Sequence, residues 1–298
     1  MNDTHININP FSLSRRINRP LILDGSIGAL LHKKGFVEDS FFWSTLANEK
    51  FPEEIIKLHK AYIKDGADII TTNTFRTNPT AIKLPGRRYS DKYVKNAVKL
   101  ARKAVLDNSI LVAGSNAPAE DCYRSKRILT KKEIEQNHSI HIQQLIECGC
   151  DFVLNETQSH FDEIKFIADY CNKNNVPFIM SFLFDEKLKL LDGSSLTKAI
   201  SYVLRKNPLA ISFNCITNEI LLEALRKIKP DFNWGFYLNC GKGFITDNIY
   251  SKGLSVPGYS EVVKAALKYS PSFIGSCCGS TPAFTKQIKR IFDGSYKS

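Results

Sequence analysis

The feature that most constrains the fold is an alternation of short apolar segments with longer amphipathic segments, repeated eight times along the chain. Near-continuous apolar runs of strand length are typical of parallel strands that are buried on both faces. Eight strands are predicted, at residues 20–25, 67–75, 109–116, 151–157, 177–184, 209–215, 232–239 and 271–277. Because each is followed by a helical segment, the pattern favours an α/β fold of the (β/α)8 TIM-barrel type, built as a single domain.

The amphipathic segments carry helix-start signals. The segment "TKKEIEQNHSIHIQQLIECG" begins with Thr130 and has Glu133 three residues later, which is the spacing of a capping box. A doubly wound sheet is the alternative, and a Gly-rich phosphate loop after the first strand would favour it. The segment "DGSIGALLHKKG" does not match that motif. We therefore predict a barrel over residues 20–298, preceded by an N-terminal extension at residues 1–19.

The charge balance raises the question of a nucleic-acid partner, because the 298 residues carry a formal net charge of +11. The basic residues are spread along predicted helices without interleaved aromatic residues, so we interpret them as solvated helix faces. The first residues lack the apolar stretch of a secretory signal, and no apolar run reaches the roughly 18 residues of a membrane helix. We expect a cytoplasmic protein without nucleic-acid or membrane partners.

Three thiols fall where a barrel builds its active site, at the C-terminal ends of the strands. Cys215 ends the sixth predicted strand, and "FIGSCCGSTP" places Cys277 and Cys278 at the end of the eighth. Three thiolates suit Zn²⁺, and a site with three protein ligands keeps one position open, as catalytic zinc sites do. Neighbouring side chains on a strand point to opposite faces, so the adjacent pair needs a bend, which Gly275 and Gly279 can supply. On spacing alone, buried free thiols remain the alternative.

Other chemically notable residues receive structural interpretations. Glu135, His138 and His141 lie on one predicted helix, but the first and last are roughly 240° apart around its axis. We interpret them as part of a solvated helix rather than a metal site. Cys240 ends a strand, and the sequence leaves its role open. The thiols that lie on or after helices are interpreted as structural: Cys148, Cys150 and Cys171.

The cysteine segment also carries a family resemblance. "FIGSCCGSTP" resembles the Gly-Cys-Cys-Gly signature of the homocysteine S-methyltransferase family. Further segments match in order over about residues 20–292: "ILDGSIGALLHKKG", "FWSTLANEKFPEEIIKLHKAYIKDGADIITTNTF", "VAGSNAP", "DFVLNET", "PFIMSFLFDEKLKLLDG" and "ISFNC". This chain departs from the family pattern where Ser26 and Ser276 replace glycines, at Asn116-Ala117, and at Cys240.

The resemblance implies a zinc-dependent methyltransferase of methionine biosynthesis that methylates homocysteine to methionine. By that match, the zinc ligands are Cys215, Cys277 and Cys278, and no catalytic residue is implied beyond the zinc-bound substrate thiolate. The substrate-binding residues it implies are Asp24, Gly25, Ser26, Thr72, Asn73, Phe75, Glu156 and Asn214. The two acids would hold the substrate ammonium, and the backbone that follows the first acid would approach the carboxylate.

The methyl donor implied by the resemblance is a sulfonium compound. "FWSTLANEKFPEEI" resembles the Trp-Ser segment of standalone family members that use S-methylmethionine or S-adenosylmethionine. Trp43 or Phe75 can meet such a cation through a cation–π contact. The alternatives are a betaine donor, a methyltransferase that needs a corrinoid partner, and a non-catalytic barrel that binds zinc and homocysteine. The expected partners are homocysteine and a methyl donor, with a homo-oligomer left open.

Overall fold

The computed structural model describes residues 9–36, 43–83, 86–106, 109–242 and 251–295. Their strands are β1 (Leu21–Ile22), β2 (Ile69–Thr71), β3 (Leu111–Asn116), β4 (Phe152–Gln158), β5 (Phe178–Phe182), β6 (Ala210–Asn214), β7 (Trp234–Leu238), β8 (Gly241–Lys242), β9 (Ser251–Lys252) and β10 (Phe273–Ser276). Eight of them form one sheet in the order β1-β10-β7-β6-β5-β4-β3-β2, whereas β8 and β9 pair separately as an antiparallel ribbon. Each predicted strand therefore corresponds to an observed strand of the sheet.

The sheet closes on itself. All seven pairings between its neighbouring strands are parallel. A parallel bridge between Leu23 and Ile69 joins the two ends of the sheet, and the Asp24 amide donates to the Ile69 carbonyl at 2.9 Å. The predicted single-domain (β/α)8 barrel is confirmed.

Helices alternate with the strands. In the described part of the chain they are α1 (Pro10–Arg16), α2 (Gly28–Lys33), α3 (Ala47–Lys50), α4 (Pro52–Lys64), α5 (Pro79–Lys83), α6 (Lys92–Ala104), α7 (Lys131–Glu147), α8 (Phe161–Lys173), α9 (Leu196–Leu204), α10 (Asn218–Ile228), α11 (Val256–Leu267) and α12 (Pro282–Ser295). The predicted capping box is present at the start of α7, with both the Thr130 and the Glu133 hydrogen bonds formed. No described helix is long and apolar enough to cross a membrane.

Helix α1 closes the N-terminal mouth of the barrel. Its Phe11 ring is fully buried and makes edge contacts with Phe152 and Phe273, at centroid distances of 5.7 and 5.4 Å. The Ser14 hydroxyl donates to the Ser272 carbonyl at 2.8 Å, and the Asn9 amide donates to the Leu209 carbonyl at 2.9 Å. With this end filled, the C-terminal ends of the strands are left to form a cavity.

The interpretation of His138 and His141 as part of a solvated helix is wrong, because both imidazoles on α7 are fully buried. His138 Nε2 lies 2.6 Å from the Glu163 carboxylate on α8. His141 bonds to the Asn116 side chain and to the Thr77 hydroxyl, each at 2.8 Å. In the sequence, the polar residues of α7 look like a solvent-exposed helix face. Their buried hydrogen-bond partners are also polar and come from distant segments, so the local pattern does not show that the face is buried.

Candidate active site

A cavity opens among the C-terminal ends of the strands, and ten of the eleven predicted site residues line it. They are Asp24, Gly25, Ser26, Thr72, Asn73, Phe75, Glu156, Cys215, Cys277 and Cys278. Asn214 does not line the cavity. Its side-chain oxygen accepts from the Thr157 amide at 2.9 Å and from the Ser181 hydroxyl at 2.7 Å, so it joins the ends of β4, β5 and β6.

The three predicted metal ligands meet on one side of this cavity. The Cys215 and Cys277 sulfurs are 3.0 Å apart, the Cys277 and Cys278 sulfurs are 3.9 Å apart, and all three lie within 4.8 Å of one another. Zn–S bonds of about 2.3 Å in tetrahedral geometry place sulfurs roughly 3.8 Å apart. The three thiols therefore fit around a single metal ion. No other group of His, Cys, Asp and Glu residues in the described ranges offers such a site.

The bend that brings adjacent sulfurs together comes after the cysteine pair. Gly279 has a φ of +77°, and a Cβ there would lie 2.6 Å from the Gly241 amide nitrogen, so a side chain does not fit. The Cys278 carbonyl accepts from the Cys240 amide at 2.7 Å, which ties the turn to the segment after β7. Gly275 has another role: it lies within β10, where a Cβ would come 2.7 Å from Leu23, so it allows close packing rather than the bend.

Cys215 reaches the same point from β6 through an unusual backbone conformation. Its φ is +55°, in the left-handed region that non-glycine residues adopt at a cost. Hydrogen bonds from Cys215 and Cys277 hold the pKa of Cys278 well below its usual range, whereas the bond to Cys215 raises the pKa of Cys277. The three thiols are therefore coupled through their hydrogen bonds, and a bound cation would favour the ionised form of all of them.

Cys240, which the sequence left open, is not part of this cluster. It is buried, and its thiol donates to the Leu238 carbonyl at 3.4 Å. Burial raises its pKa to about 12. A thiol that stays protonated is a poor metal ligand, so we assign Cys240 a packing role.

Two buried carboxyl groups line the cavity with the thiols. Asp24, after β1, accepts hydrogen bonds from the Thr71 amide at 2.9 Å and from the Thr71 hydroxyl. Glu156, on β4, accepts from the Ser115 hydroxyl. Burial raises the pKa of Asp24 to about 8 and that of Glu156 to about 7, and the Glu156 charge adds to the shift at Asp24. An ammonium group placed between these acids would favour the ionised form of both.

The segment after Asp24 forms a close cradle. A Cβ on Gly25 would lie 2.6 Å from the Ser280 hydroxyl and 2.8 Å from that of Tyr62, so glycine is needed here. The Tyr62 hydroxyl donates to the Ser26 carbonyl at 2.9 Å, and the Ser26 amide donates to the Ser280 hydroxyl at 3.1 Å. This backbone is held in place by hydroxyl groups from α4 and from the turn before α12.

Thr72 and Asn73 form the cavity wall with polar groups that are already paired. The Thr72 hydroxyl lies 2.7 Å from that of Thr74 and also accepts from the Ser115 amide. The Asn73 amide donates to the Ser44 carbonyl at 2.9 Å and to Asn48 Oδ1 at 3.0 Å. The Thr72 bond ties the end of β2 to β3, whereas the Asn73 bonds tie the same end to Ser44 and to Asn48 on α3.

Two contacts at the cavity were not predicted. Tyr123 lines the cavity from the loop after β3, and its side chain hydrogen-bonds to Cys215. No periodicity or motif marks this residue in the sequence.

Arg76 is 8% exposed, and its guanidinium carbon lies 4.9 Å from the centre of the Trp43 ring. The same ring stacks on Phe75 at 5.1 Å, so Trp43 already has a cationic neighbour.

The fold and site together define a (β/α)8 barrel with three convergent thiols that fit a metal ion and a buried acid pair at its C-terminal mouth. Comparisons with known proteins agree. The family model for homocysteine S-methyltransferase matches residues 21–292. The chain therefore belongs to the homocysteine S-methyltransferase family, a family of methyltransferases that act on homocysteine.

Individual relatives are distant but extend over the same length. The Escherichia coli (strain K12) homocysteine S-methyltransferase is 25% identical over 292 residues, which cover 90% of this chain and 94% of the relative. Homocysteine S-methyltransferase 2 of Arabidopsis thaliana is 23% identical over 308 residues, covering 90% and 92%. The crystal structure of the E. coli homocysteine methyltransferase MmuM in its metallated form gives a TM-score of 0.80 at 23% identity, covering 95% of this chain and 99% of that one.

Proposed function

We propose that this chain transfers a methyl group from a sulfonium donor to the sulfur of homocysteine, producing methionine. The observation that carries the proposal is the placement of three convergent thiols and two buried carboxyl groups on one cavity. Homocysteine has a thiol at one end and an ammonium and a carboxylate at the other. Its two ends match the two halves of the site.

Zinc is the metal that we assign to Cys215, Cys277 and Cys278. Soft thiolate ligands favour zinc over hard cations such as Mg²⁺, and three protein ligands leave a position for substrate. When zinc is bound, the chemistry it supplies is a lowered pKa for the homocysteine thiol, which loses its proton to solvent. Tyr123 helps to orient the Cys215 sulfur through their hydrogen bond.

The acid pair orients the substrate. Asp24 and Glu156 hold the ammonium, and the substrate charge favours their ionised forms in return. Thr71 and Ser115 keep the two carboxyl groups in position through their hydrogen bonds. Binding both ends of homocysteine fixes the direction from which its sulfur meets the methyl carbon.

A sulfonium donor suits this arrangement because its leaving group is neutral. The new S–CH3 bond forms as the donor S–CH3 bond breaks, and both products are neutral thioethers that need no general acid. The Phe75 ring lines the cavity and offers an aromatic surface to the methyl donor. The neutral product is also a weaker ligand for the thiol-bound metal than a thiolate, which favours release.

The test is methionine formation by the reduced, zinc-loaded chain. Homocysteine is supplied with S-methylmethionine, S-adenosylmethionine or betaine in parallel, and methionine is quantified by chromatography. We expect product from at least one sulfonium donor and none after chelation of the metal. Methionine formed with betaine alone would contradict the proposal that the donor is a sulfonium compound. With one zinc bound per chain, a lack of methionine from all three would contradict the proposed reaction.

A further inference from the structure

One polar group on the cavity has no role in the mechanism so far. Ser276, the last residue of β10, lines the cavity and is 2% exposed. Its hydroxyl has no hydrogen-bond partner among the residues that the structure describes. Buried hydroxyl groups are normally paired, because losing water without a replacement partner is unfavourable.

The position of this hydroxyl relates it to the Gly25 cradle. Ser276 Oγ would lie 3.0 Å from a Cβ built on Gly25, so it faces the backbone that follows Asp24. The Ser26 amide, a backbone donor in this cradle, already donates to Ser280. The Ser276 hydroxyl therefore offers a hydrogen-bond donor at the place where the Ser26 amide is already used by Ser280.

An unpaired buried hydroxyl alone is not a binding site, as two other residues illustrate. Ser272 is fully buried and also lacks a partner for its hydroxyl, but it does not line the cavity. Tyr237 lines the cavity, but its hydroxyl lies near an acid: burial, and then the charge of the nearby Glu156 carboxyl, raise the pKa of Tyr237 well above its usual range. Ser276 combines burial, a missing partner and a position on the cavity beside the cradle.

We propose that the Ser276 hydroxyl donates a hydrogen bond to the carboxylate of homocysteine, an assignment that rests on the proposed function. The two acids provide acceptors for the substrate ammonium, so the remaining charged group at that end of the substrate is the carboxylate. A hydroxyl is a suitable donor to it, and hydrogen bonds to charged groups are stronger than neutral ones. The serine that replaces a family glycine thus becomes a residue for substrate recognition.

Equilibrium binding to the zinc-loaded chain tests this assignment. Ser276→Ala removes the hydroxyl and keeps the Cβ, whereas Ser272→Ala is a matched control at the residue before β10, roughly 13 Å away at 3.3 Å per residue. We expect Ser276→Ala to raise the homocysteine Kd on the order of tenfold and to raise KM more than it lowers kcat. The control variant should bind homocysteine as the unmodified chain does.

Two substrate analogues identify the group that Ser276 contacts. 3-Aminopropane-1-thiol lacks the carboxylate, so its Kd should be the same for Ser276→Ala and the unmodified chain. 4-Mercaptobutanoate lacks the ammonium and should show the same loss as homocysteine. If the loss instead follows the ammonium, or if the two serine variants bind homocysteine equally, the assignment is overturned while the methyl transfer stands. If the unmodified chain does not bind homocysteine at all, the proposed function and this assignment both fail.

Discussion

The two mouths of the barrel are built from the same strands and differ in how their polar groups are satisfied. At the N-terminal mouth, α1 fills the opening with Phe11, and the side chains of Asn9 and Ser14 bond to carbonyl groups of the residues just before β6 and β10. At the C-terminal mouth, buried acids have raised pKa values and three partly buried thiols lie within 4.8 Å of one another. The contrast teaches that one end is complete as folded, whereas the other has the unsatisfied groups that, under the proposed function, a metal and a substrate would complete.

The largest effect is expected from removing one thiol of the metal centre. Cys278→Ala leaves two ligands, so zinc content should fall from one per chain to background and methionine formation should fall at least about a thousandfold. Metal analysis and the methionine assay measure the two effects. The matched control is Cys171→Ala, which changes a thiol that is fully buried in the core away from the cavity. Full zinc in the Cys278 variant, or equal zinc loss in both, would contradict the ligand assignment.

A change at the N-terminal mouth should affect stability and leave catalysis intact. Phe11→Ala removes a buried ring from the end of the barrel, and we expect the free energy of unfolding to fall by about 3–5 kcal/mol. Urea denaturation measures the loss, while kcat/KM per folded molecule should stay unchanged. Leu13→Ala is the control on the same helix, because Leu13 is 47% exposed and should cost less than about 0.5 kcal/mol. A large fall in kcat/KM for the Phe11 variant would show that the two mouths are coupled.

Much of this contrast between the two mouths can be predicted from the sequence, because many of the residues that produce it form local sequence patterns. Apolar runs and strand-end residues locate the barrel, the thiols and the acids without knowledge of any long-range contact. Tyr123, the buried histidines on α7 and the packing role of Gly275 were not predicted. Each depends on which side chain from a distant segment lies opposite it, and a residue pattern within one segment does not contain that information.

A smaller effect is expected from neutralising one acid of the substrate-binding half. Glu156→Gln keeps the size of the side chain but removes the charge that holds the ammonium, so KM for homocysteine should rise roughly 10- to 100-fold. Zinc content should stay at one per chain, which separates this half of the site from the metal half. An unchanged KM would remove Glu156 from the substrate site. Loss of zinc would instead make it a support for the thiols.

The smallest predicted effect is a change of the free energy of unfolding with pH in the substrate-free chain. Burial raises the pKa of Asp24 to about 8 from an ordinary value of 3.8, so the folded state favours the protonated carboxyl. The protonated Asp24 carboxyl therefore contributes to the free energy of unfolding at low pH. This contribution is lost as pH rises through the folded-state pKa of Asp24. Between about pH 6.5 and about pH 9 we expect the zinc-loaded chain to lose about 1–2 kcal/mol of unfolding free energy from this group.

Asp24→Asn should remove this part of the pH dependence, because its amide does not titrate. Homocysteine should reduce it in the unmodified chain, since a bound ammonium stabilises the ionised carboxylate. Urea unfolding at the two pH values, with and without homocysteine, measures both effects. If the pH slope is the same in the Asn variant, Asp24 is not the titrating group. If homocysteine leaves the slope unchanged, the ammonium does not bind beside Asp24, and the substrate half of the C-terminal mouth must be redrawn around Glu156 alone.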